Sequence, residues 1–486
     1  MSSSQILPFA FLVINTIAAV NAPIQDCDEV FNYWEPTHYL NHGFGFQTWE
    51  YSPEYAIRSW LYISIHAVFN IFSLVINRTQ GTQINGLIWT RMALGAACAY
   101  CELHLVQVVS KRIGARVAAI LAIVMLSSTG MFYASVAYLP SSFSMYTSMM
   151  GLASFLEPEN GLGTQRGIAW FGLGAIVGWP FSAALILPLM VDELVYVRLT
   201  GKISGTLQRM MAGVARVLPL IPLDLAINAL FFRRLVFSPW RIVSYNVFSG
   251  SSRGPNIFGT EPWHFYIRNL LLNFNVWFLL ALCAGPIVAL QLLFRRPSAS
   301  RLTNFRTLVF SAPFYLWLLI FSLQPHKEER FMYPAYGFLC LNAALALHVL
   351  LFELGHADPK SVLGRIPSLL KTCLVVAGVL VTIAICVLRT TGTVTAYNAP
   401  MKVYSIFQDP EYIRAQGSLC LGKEWYRFPS SYFLPKGIRA QFIKSEFSGL
   451  LPGHFSGEIG PLSLPIARKI PPGMNDQNTE DPGKYV

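Results

Sequence analysis

Eleven stretches of this 486-residue chain are apolar enough to sit in hydrocarbon, at roughly 6–24, 85–109, 115–137, 143–157, 167–179, 181–197, 210–232, 270–294, 307–323, 334–354 and 369–388. A helix needs about 20 apolar residues to cross a hydrocarbon core about 30 Å thick. With no water to satisfy the backbone there, runs of this kind must pair their N–H and C=O groups internally, as helices do. Several runs are shorter and carry Gly178, Pro180 or Pro188, as bent helices inside a bundle do. Only 13% of residues are charged and 53% are hydrophobic, against about 25% charged in a soluble globular chain. Disorder, a soluble enzyme and a disulfide scaffold are excluded, and the first run, with no small-residue cleavage pattern after it, reads as an anchor.

The net charge of +11 could suggest a nucleic-acid partner, but no basic stripe interleaved with aromatics supports one. Thirteen of the 36 basic residues instead fall in four short loops: Lys111, Arg112 and Arg116; Arg198, Lys202 and Arg209; Arg295, Arg296, Arg301 and Arg306; Lys360, Arg365 and Lys371. Short basic loops stay cytosolic. Eleven spans then place the N-terminus in the cytosol and a tail of about 95 residues on the far side, in a chain whose partner is the lipid bilayer. The amphipathic stretch 55–76 then cannot cross and lies along the far interface. Arg233, Arg234 and Arg241 break the rule by falling in a far-side loop.

The far-side loops, 25–83, 138–142, 233–269 and 324–333, hold the unusual polar and aromatic sequence. In the first, Asp26, Asp28, Glu29 and Glu35 lie within ten residues, beside Phe31, Tyr33 and Trp34. Partial desolvation at the membrane border raises a carboxyl pKa and makes a better general base, and flat aromatic faces suit sugar rings or lipid chains. A solvated interfacial belt is the alternative. In 324–334, His326, Lys327 and Arg330 are cations able to bind phosphate, with Glu328 and Glu329 to orient them; the alternative is a solvated hairpin turn. A third loop carries Glu261, Trp263 and His264. Arg91, Glu102 and His104 share one span, where ionisable groups are expensive and face the interior. Cys98 and Cys101 lack a second pair or a His cluster, so no metal site is expected. The sequon Asn77-Arg-Thr falls in the first loop.

At Phe-Asn-Tyr-Trp-Glu-Pro, residues 31–36, the chain resembles the dolichyl-phosphate-mannose-dependent alpha-1,2-mannosyltransferases of endoplasmic-reticulum N-glycan assembly, in the C-type multi-span glycosyltransferase superfamily. Matching stretches are 31–40, 45–53, 128–146, 178–183, 259–263, 324–331, 422–431 and 472–478. The resemblance implies transfer of mannose from dolichyl phosphate mannose to a dolichyl-diphosphate-linked oligosaccharide at the lumenal face, with inversion and without a metal or other cofactor. It further implies that Asp28 is the base, with Glu29 and more weakly Asp26 as competitors. Arg58, His326, Lys327 and Arg330 would bind the donor phosphate. Trp34, Glu35 and His38 would contact acceptor sugar, with Glu261, Glu328 and Glu329 orienting. Relatives continue beyond Lys-Tyr-Val, which leaves partners for Cys27 and Cys420 open. The alternatives are an alpha-1,6 or glycolipid-anchor mannosyltransferase using the same donor, or a transporter.

The expected fold class is therefore an all-α polytopic membrane protein of the C-type glycosyltransferase fold, with a transmembrane catalytic domain over 1–391. A small lumenal α+β or β-rich domain over 392–486 follows, where 403–407 and 418–421 read as short strands.

Overall fold

The computed structural model describes residues 3–76, 83–157, 162–249, 254–294, 301–357, 359–456 and 469–486. The sequon at 77–79 lies outside them. Among the described residues, five helices are long and apolar enough to cross a membrane: Ile84–Arg112, Ile203–Phe232, Arg306–Leu323, Glu329–Gly355 and Ser368–Tyr397. A bent pair, Phe265–Phe274 and Val276–Gln291, makes six if taken as one span. Apolar helices Gln5–Asn21 and Ala115–Ser127 are shorter.

Several expected runs are broken, for local reasons. The run 115–137 stops at Ser128, whose backbone is extended, before a second helix, Thr129–Ala134. The runs 167–179 and 181–197 part at Trp179 (φ −123°, ψ 113°). That residue precedes Pro180, and a residue before proline is driven out of the α region. The run 270–294 folds back by 116° at Asn275, which adopts φ 42°. Stretch 55–76 forms the helix Trp60–Ile76, packed on Glu35–His42, Ile84–Arg112 and Leu220–Phe232.

The centre of the bundle is the helix Tyr336–Gly355, buried along most of its length and packed against Val276–Phe294 and Ala115–Ser127. The helix Ser3–Asn21 lies along Ile84–Arg112. Between them Asn15 Nδ2 donates to Glu102 at 2.8 Å, and Arg91 Nη2 donates to the Ala22 carbonyl at 2.6 Å. The two ionisable groups thus bind across helices and not within one. His104 is half-buried and stacks on Tyr100. Ser368–Tyr397 runs along the outside, with Leu369, Leu374, Leu380 and Leu388 exposed, as a lipid-facing helix requires. It also carries the chain past the expected domain boundary at 391/392.

The tail and the first loop form one structure. Strand Gly417–Leu421 pairs in parallel with Ile438–Phe442, and Phe46–Gln47 of the first loop pairs antiparallel with Gly453–His454 of the tail. Val30, Phe31 and Phe46 share an apolar core with Leu421, Phe428, Leu434, Ile438 and Phe442. The strand expected at 418–421 is present. The one expected at 403–407 is helical instead, as Ala399–Val403 followed by a 3-10 turn, Tyr404–Gln408. Pro400 favours that start, because its fixed φ suits the first turn of a helix. Tyr404 and Phe407 then reach the shared core from one side.

Glu35 is the pin of this assembly. One carboxylate oxygen accepts from the Ser431 backbone N–H (2.6 Å) and the Ser430 hydroxyl (2.9 Å). The other accepts from the Phe46 N–H (3.0 Å) and the Ser431 hydroxyl (2.8 Å). The loop can fold back on Glu35 because Gly43 takes φ 80° at the helix end, and because a Cβ at Gly45 would sit 2.6 Å from the Glu35 carbonyl oxygen. Each carboxylate oxygen receives a backbone N–H, so the amide of Glu35→Gln must turn its NH2 toward one of them. The substitution is expected to cost about 1–3 kcal/mol, read as a lower melting temperature in detergent and faster proteolysis of the tail.

Candidate active site

The chain leaves its first helix at Asn21 and re-enters a helix at Cys27. Asp26 caps that turn by accepting the Asp28 N–H at 2.9 Å, the usual work of an N-cap carboxylate. Residues 27–42 then run as α, π and α segments, the π turn spanning Val30–Trp34; such turns often mark functional sites. This places Asp26 and Asp28 at the edge of the bundle while Val30, Phe31 and Trp34 point inward.

The turn 324–333 faces them. Its shape is set by Trp317, whose indole N–H donates to the Phe331 carbonyl at 2.9 Å, and by the Glu261 N–H donating to the Pro325 carbonyl at 2.9 Å. Arg330 reaches across to the first loop. Its Nη2 donates to Asp28 Oδ2 at 2.5 Å, and its Nε lies 3.2 Å from Asp26 Oδ2 and 2.5 Å from Glu328 Oε2. Three carboxylates thus share one buried guanidinium. On the far side of Asp28, Arg58 Nη2 stands 3.7 Å from Oδ2. Arg58 is itself held by Glu50 through two 2.9 Å bonds and donates to the Tyr33 hydroxyl at 2.7 Å.

The expected phosphate cations are accordingly occupied. The Lys327 ammonium donates to the carbonyls of Glu261 (2.8 Å) and Gln324. His326 lies between the Gly259 carbonyl (2.7 Å) and Glu328 (2.8 Å). Burial opposes its charge, but hydrogen bonding to Glu328 and to the Gly259 carbonyl outweighs burial and raises its pKa. Glu329 turns away and accepts from Asn269 at 2.7 Å, while Glu261 contributes its backbone to the turn and leaves its side chain exposed. In this arrangement Arg330, Arg58 and His326 arrange carboxylates, and Lys327 holds the turn.

The residues expected on acceptor sugar are placed differently too. Trp34, Glu35 and His38 are fully buried. Trp34 packs edge-on to Tyr138 and Tyr432. His38 Nδ1 donates to the Phe44 carbonyl (2.7 Å), and its Nε2 is bonded to the Gln83 side-chain amide. All three knit loop to tail and offer no open face here. Glu29 is also buried, with one oxygen taken by the Trp34 indole and the Tyr138 N–H, each at 3.0 Å. Glu50 was not among the expected residues. A carboxylate eight positions before a lone Arg in a Trp-Glu-Tyr-Ser-Pro turn was the only local signal for it.

The electrostatics separate the two aspartates. Burial pushes the Asp26 carboxyl up to about 7, with Glu328 and Asp28 adding to the rise and Arg330 opposing it. Burial also acts on Asp28, but Arg330, Arg58 and the hydrogen bond from Arg330 overcome it and hold the carboxyl below its ordinary value. The upward shift expected from desolvation therefore belongs to Asp26, and Asp28 stays ionised at neutral pH. Burial and the neighbouring aspartates keep the Cys27 thiol protonated, and all eight cysteines are free. Asp26, Cys27 and Asp28 are the only group of three or more His, Cys, Asp or Glu residues among the described residues with ligand atoms within 4.8 Å of one another. Its carboxylates already share the guanidinium of Arg330 as their cation.

Two clefts open beside this cluster. One is lined by Asp26, Glu29, Arg91, Tyr133 and Tyr333. The other is lined by Tyr33, Arg58, Tyr62, Trp179 and Ile242. Asp28 lines neither but links the two, joined through Arg330 to Asp26 of the first and 3.7 Å from Arg58 of the second. An ionised carboxylate between two clefts can accept a proton from a group bound in one as it attacks a group bound in the other.

The chain is 37% identical to the alpha-1,2-mannosyltransferase alg9 of Schizosaccharomyces pombe, over 100% of this chain and 83% of that one. It is 40% identical to the human alpha-1,2-mannosyltransferase ALG9, over 96% and 75%. In fold it is similar to ArnT from Cupriavidus metallidurans bound to undecaprenyl phosphate, with TM-score 0.57 and 13% identity over 90% of this chain and 86% of that one. The profile of the Alg9-like mannosyltransferase family matches residues 6–435, and the chain belongs to that family.

Proposed function

We propose that this enzyme transfers mannose in alpha-1,2 linkage from dolichyl phosphate mannose to a dolichyl-diphosphate-linked oligosaccharide at the lumenal face of the endoplasmic reticulum. The observation that carries the chemistry is Asp28, ionised and fixed between two clefts in a family of mannosyltransferases. The acceptor 2-hydroxyl oxygen attacks the anomeric carbon of the donor mannose as the bond from that carbon to the phosphate oxygen breaks. The hydroxyl proton passes to Asp28, and dolichyl phosphate leaves. A single displacement inverts the anomeric centre, turning a beta donor into an alpha product. Tyr33, Tyr62 and Trp179 give the second cleft the flat faces a sugar packs against, and Arg58 gives it a hydrogen-bonding edge.

The four basic loops support eleven spans, a cytosolic N-terminus and a lumenal tail, with residues 1–391 as the catalytic unit and 392–486 as its lumenal cover. The helix Trp60–Ile76 then lies at the lumenal interface. Purified enzyme supplied with both lipids should give a product cleaved by an alpha-1,2-specific mannosidase; an alpha-1,6 linkage, or no transfer, would overturn the assignment.

Asp26 makes the reaction pH-sensitive. Below about pH 7 it is protonated and neutral. Above that it places a negative charge beside Asp28, which raises the proton affinity of the base. Transfer should therefore rise from pH 6 to pH 8 by about threefold to tenfold. In Asp26→Asn that inflection should vanish. A rise that survives in the variant belongs to another group.

A further inference from the structure

We infer that Arg91 is the binding site for the phosphate of the lipid-linked donor. This rests on the mannosyl-transfer reading above and names the cation for its leaving group; the cations of the 324–333 turn and Arg58 are already engaged by carboxylates and carbonyls. Arg91 is 2% exposed and lies in Ile84–Arg112, facing the C-terminal end of the first helix. Its Nη2 donates to the carbonyls of Ala22 (2.6 Å) and Ala18 (3.5 Å) at that helix end; the Ala18 carbonyl also accepts the Ala22 N–H at 2.8 Å. Its Nε and Nη1 have no hydrogen-bond partner among the described residues. Three of the five N–H groups of this guanidinium are therefore buried without an acceptor, beside a cleft that Arg91 itself lines.

A guanidinium in that state is expensive unless an anion completes it. Glu29 is the charged neighbour of Arg91 in the cleft, but neither Glu29 nor Asp26 forms a hydrogen bond or ion pair with it. Glu29 spends one oxygen on Trp34 and Tyr138, and Asp26 is engaged by the Asp28 N–H and by Arg330. The donor's phosphodiester offers ionised acceptor oxygens and no donor, and becomes a more highly charged monoester as the sugar leaves; both match unpartnered guanidinium N–H groups. The cleft lies on the Asp26 side of Asp28, so a phosphate there leaves the second cleft for the attacking sugar.

The test compares wild type, Arg91→Lys and Arg91→Gln as full-length purified chains. Wild-type transfer from dolichyl phosphate mannose is measured first; if it is absent, the functional reading fails, and the binding arm below still judges Arg91. In Arg91→Gln the donor KM should rise by about tenfold or more and kcat should fall, because the phosphate gains charge as the sugar leaves, with acceptor KM within about twofold; Arg91→Lys should lie between. Independently of turnover, dolichyl phosphate should raise the melting temperature of wild type and fail to do so in Arg91→Gln. Unchanged donor KM with undiminished stabilisation by dolichyl phosphate overturns the inference. So does a rise confined to acceptor KM, which would place the acceptor diphosphate there. If Arg91→Gln does not fold, Arg91→Lys carries the same comparison.

Discussion

Asp28→Asn should leave a folded protein that transfers mannose about 10³-fold more slowly or worse. Asparagine has the shape of aspartate, and its amide oxygen can still accept from Arg330 Nη2, now 2.5 Å from Asp28 Oδ2. The Asp26 cap accepts the backbone N–H of residue 28 and is indifferent to the side chain. What is lost is a proton acceptor, which an amide cannot replace. Initial rates with both lipids, beside a melting curve of the variant, decide the matter. Transfer within tenfold of wild type would move the base to Asp26 or Glu29. Glu29 is the weaker of these on geometry, because it is buried with one oxygen bound to Trp34 and Tyr138.

The second large effect is expected at Arg330. Arg330→Met removes the cation that Asp26, Asp28 and Glu328 share and leaves three carboxylates facing one another. Breaking a buried ion pair by deleting one partner costs about 3–5 kcal/mol. Asp28 and Glu328 reach solvent, so roughly 2–4 kcal/mol is expected here. Activity should fall as well, since Asp28 loses both its orientation and the charge that keeps it ionised. Arg330→Lys should recover part of the stability but little of the activity, because an ammonium cannot fork between carboxylates. Adding Asp28→Asn to Arg330→Met should cost less stability than the two single changes summed, since it removes one of the stranded charges. Simple additivity would mean that Asp28 and Arg330 do not act as a pair.

The sequence carried part of this. Apolar runs and basic loops indicated a helical membrane protein, and the acid-rich stretch 26–35 and the turn 324–334 were visible as unusual chemistry. What local pattern cannot encode is which charge meets which. Arg330 and Asp28 lie 302 positions apart, and the contact depends on Trp317 and Glu261 shaping the turn. Glu35 and Trp34 looked like sugar ligands because acids and aromatics at a membrane border suit that role. Their partners Ser430, Ser431 and Tyr432 are nearly 400 positions away, and they turn both residues inward. Desolvation alone argued for a raised pKa at Asp28, and a neighbouring guanidinium reverses the sign. The alternation at 403–407 suggested a strand, but Pro400 starts a helix there and a shared core accepts Tyr404 and Phe407 from that form.

The pairing of Phe46–Gln47 with Gly453–His454 also bears on how the protein is made. Residues 26–58 leave the ribosome early, yet their final packing includes strands that emerge some 400 residues later. At about 5–20 residues per second, translation separates the two by roughly 20–80 s. Through that interval the loop bearing Asp28 lacks its cover, with Phe31, Phe46 and Glu35 exposed, a substrate for chaperones before it is part of an enzyme. A nascent chain cut anywhere before the tail should insert its helices and remain silent, so catalysis switches on only after residues 417–454 have emerged.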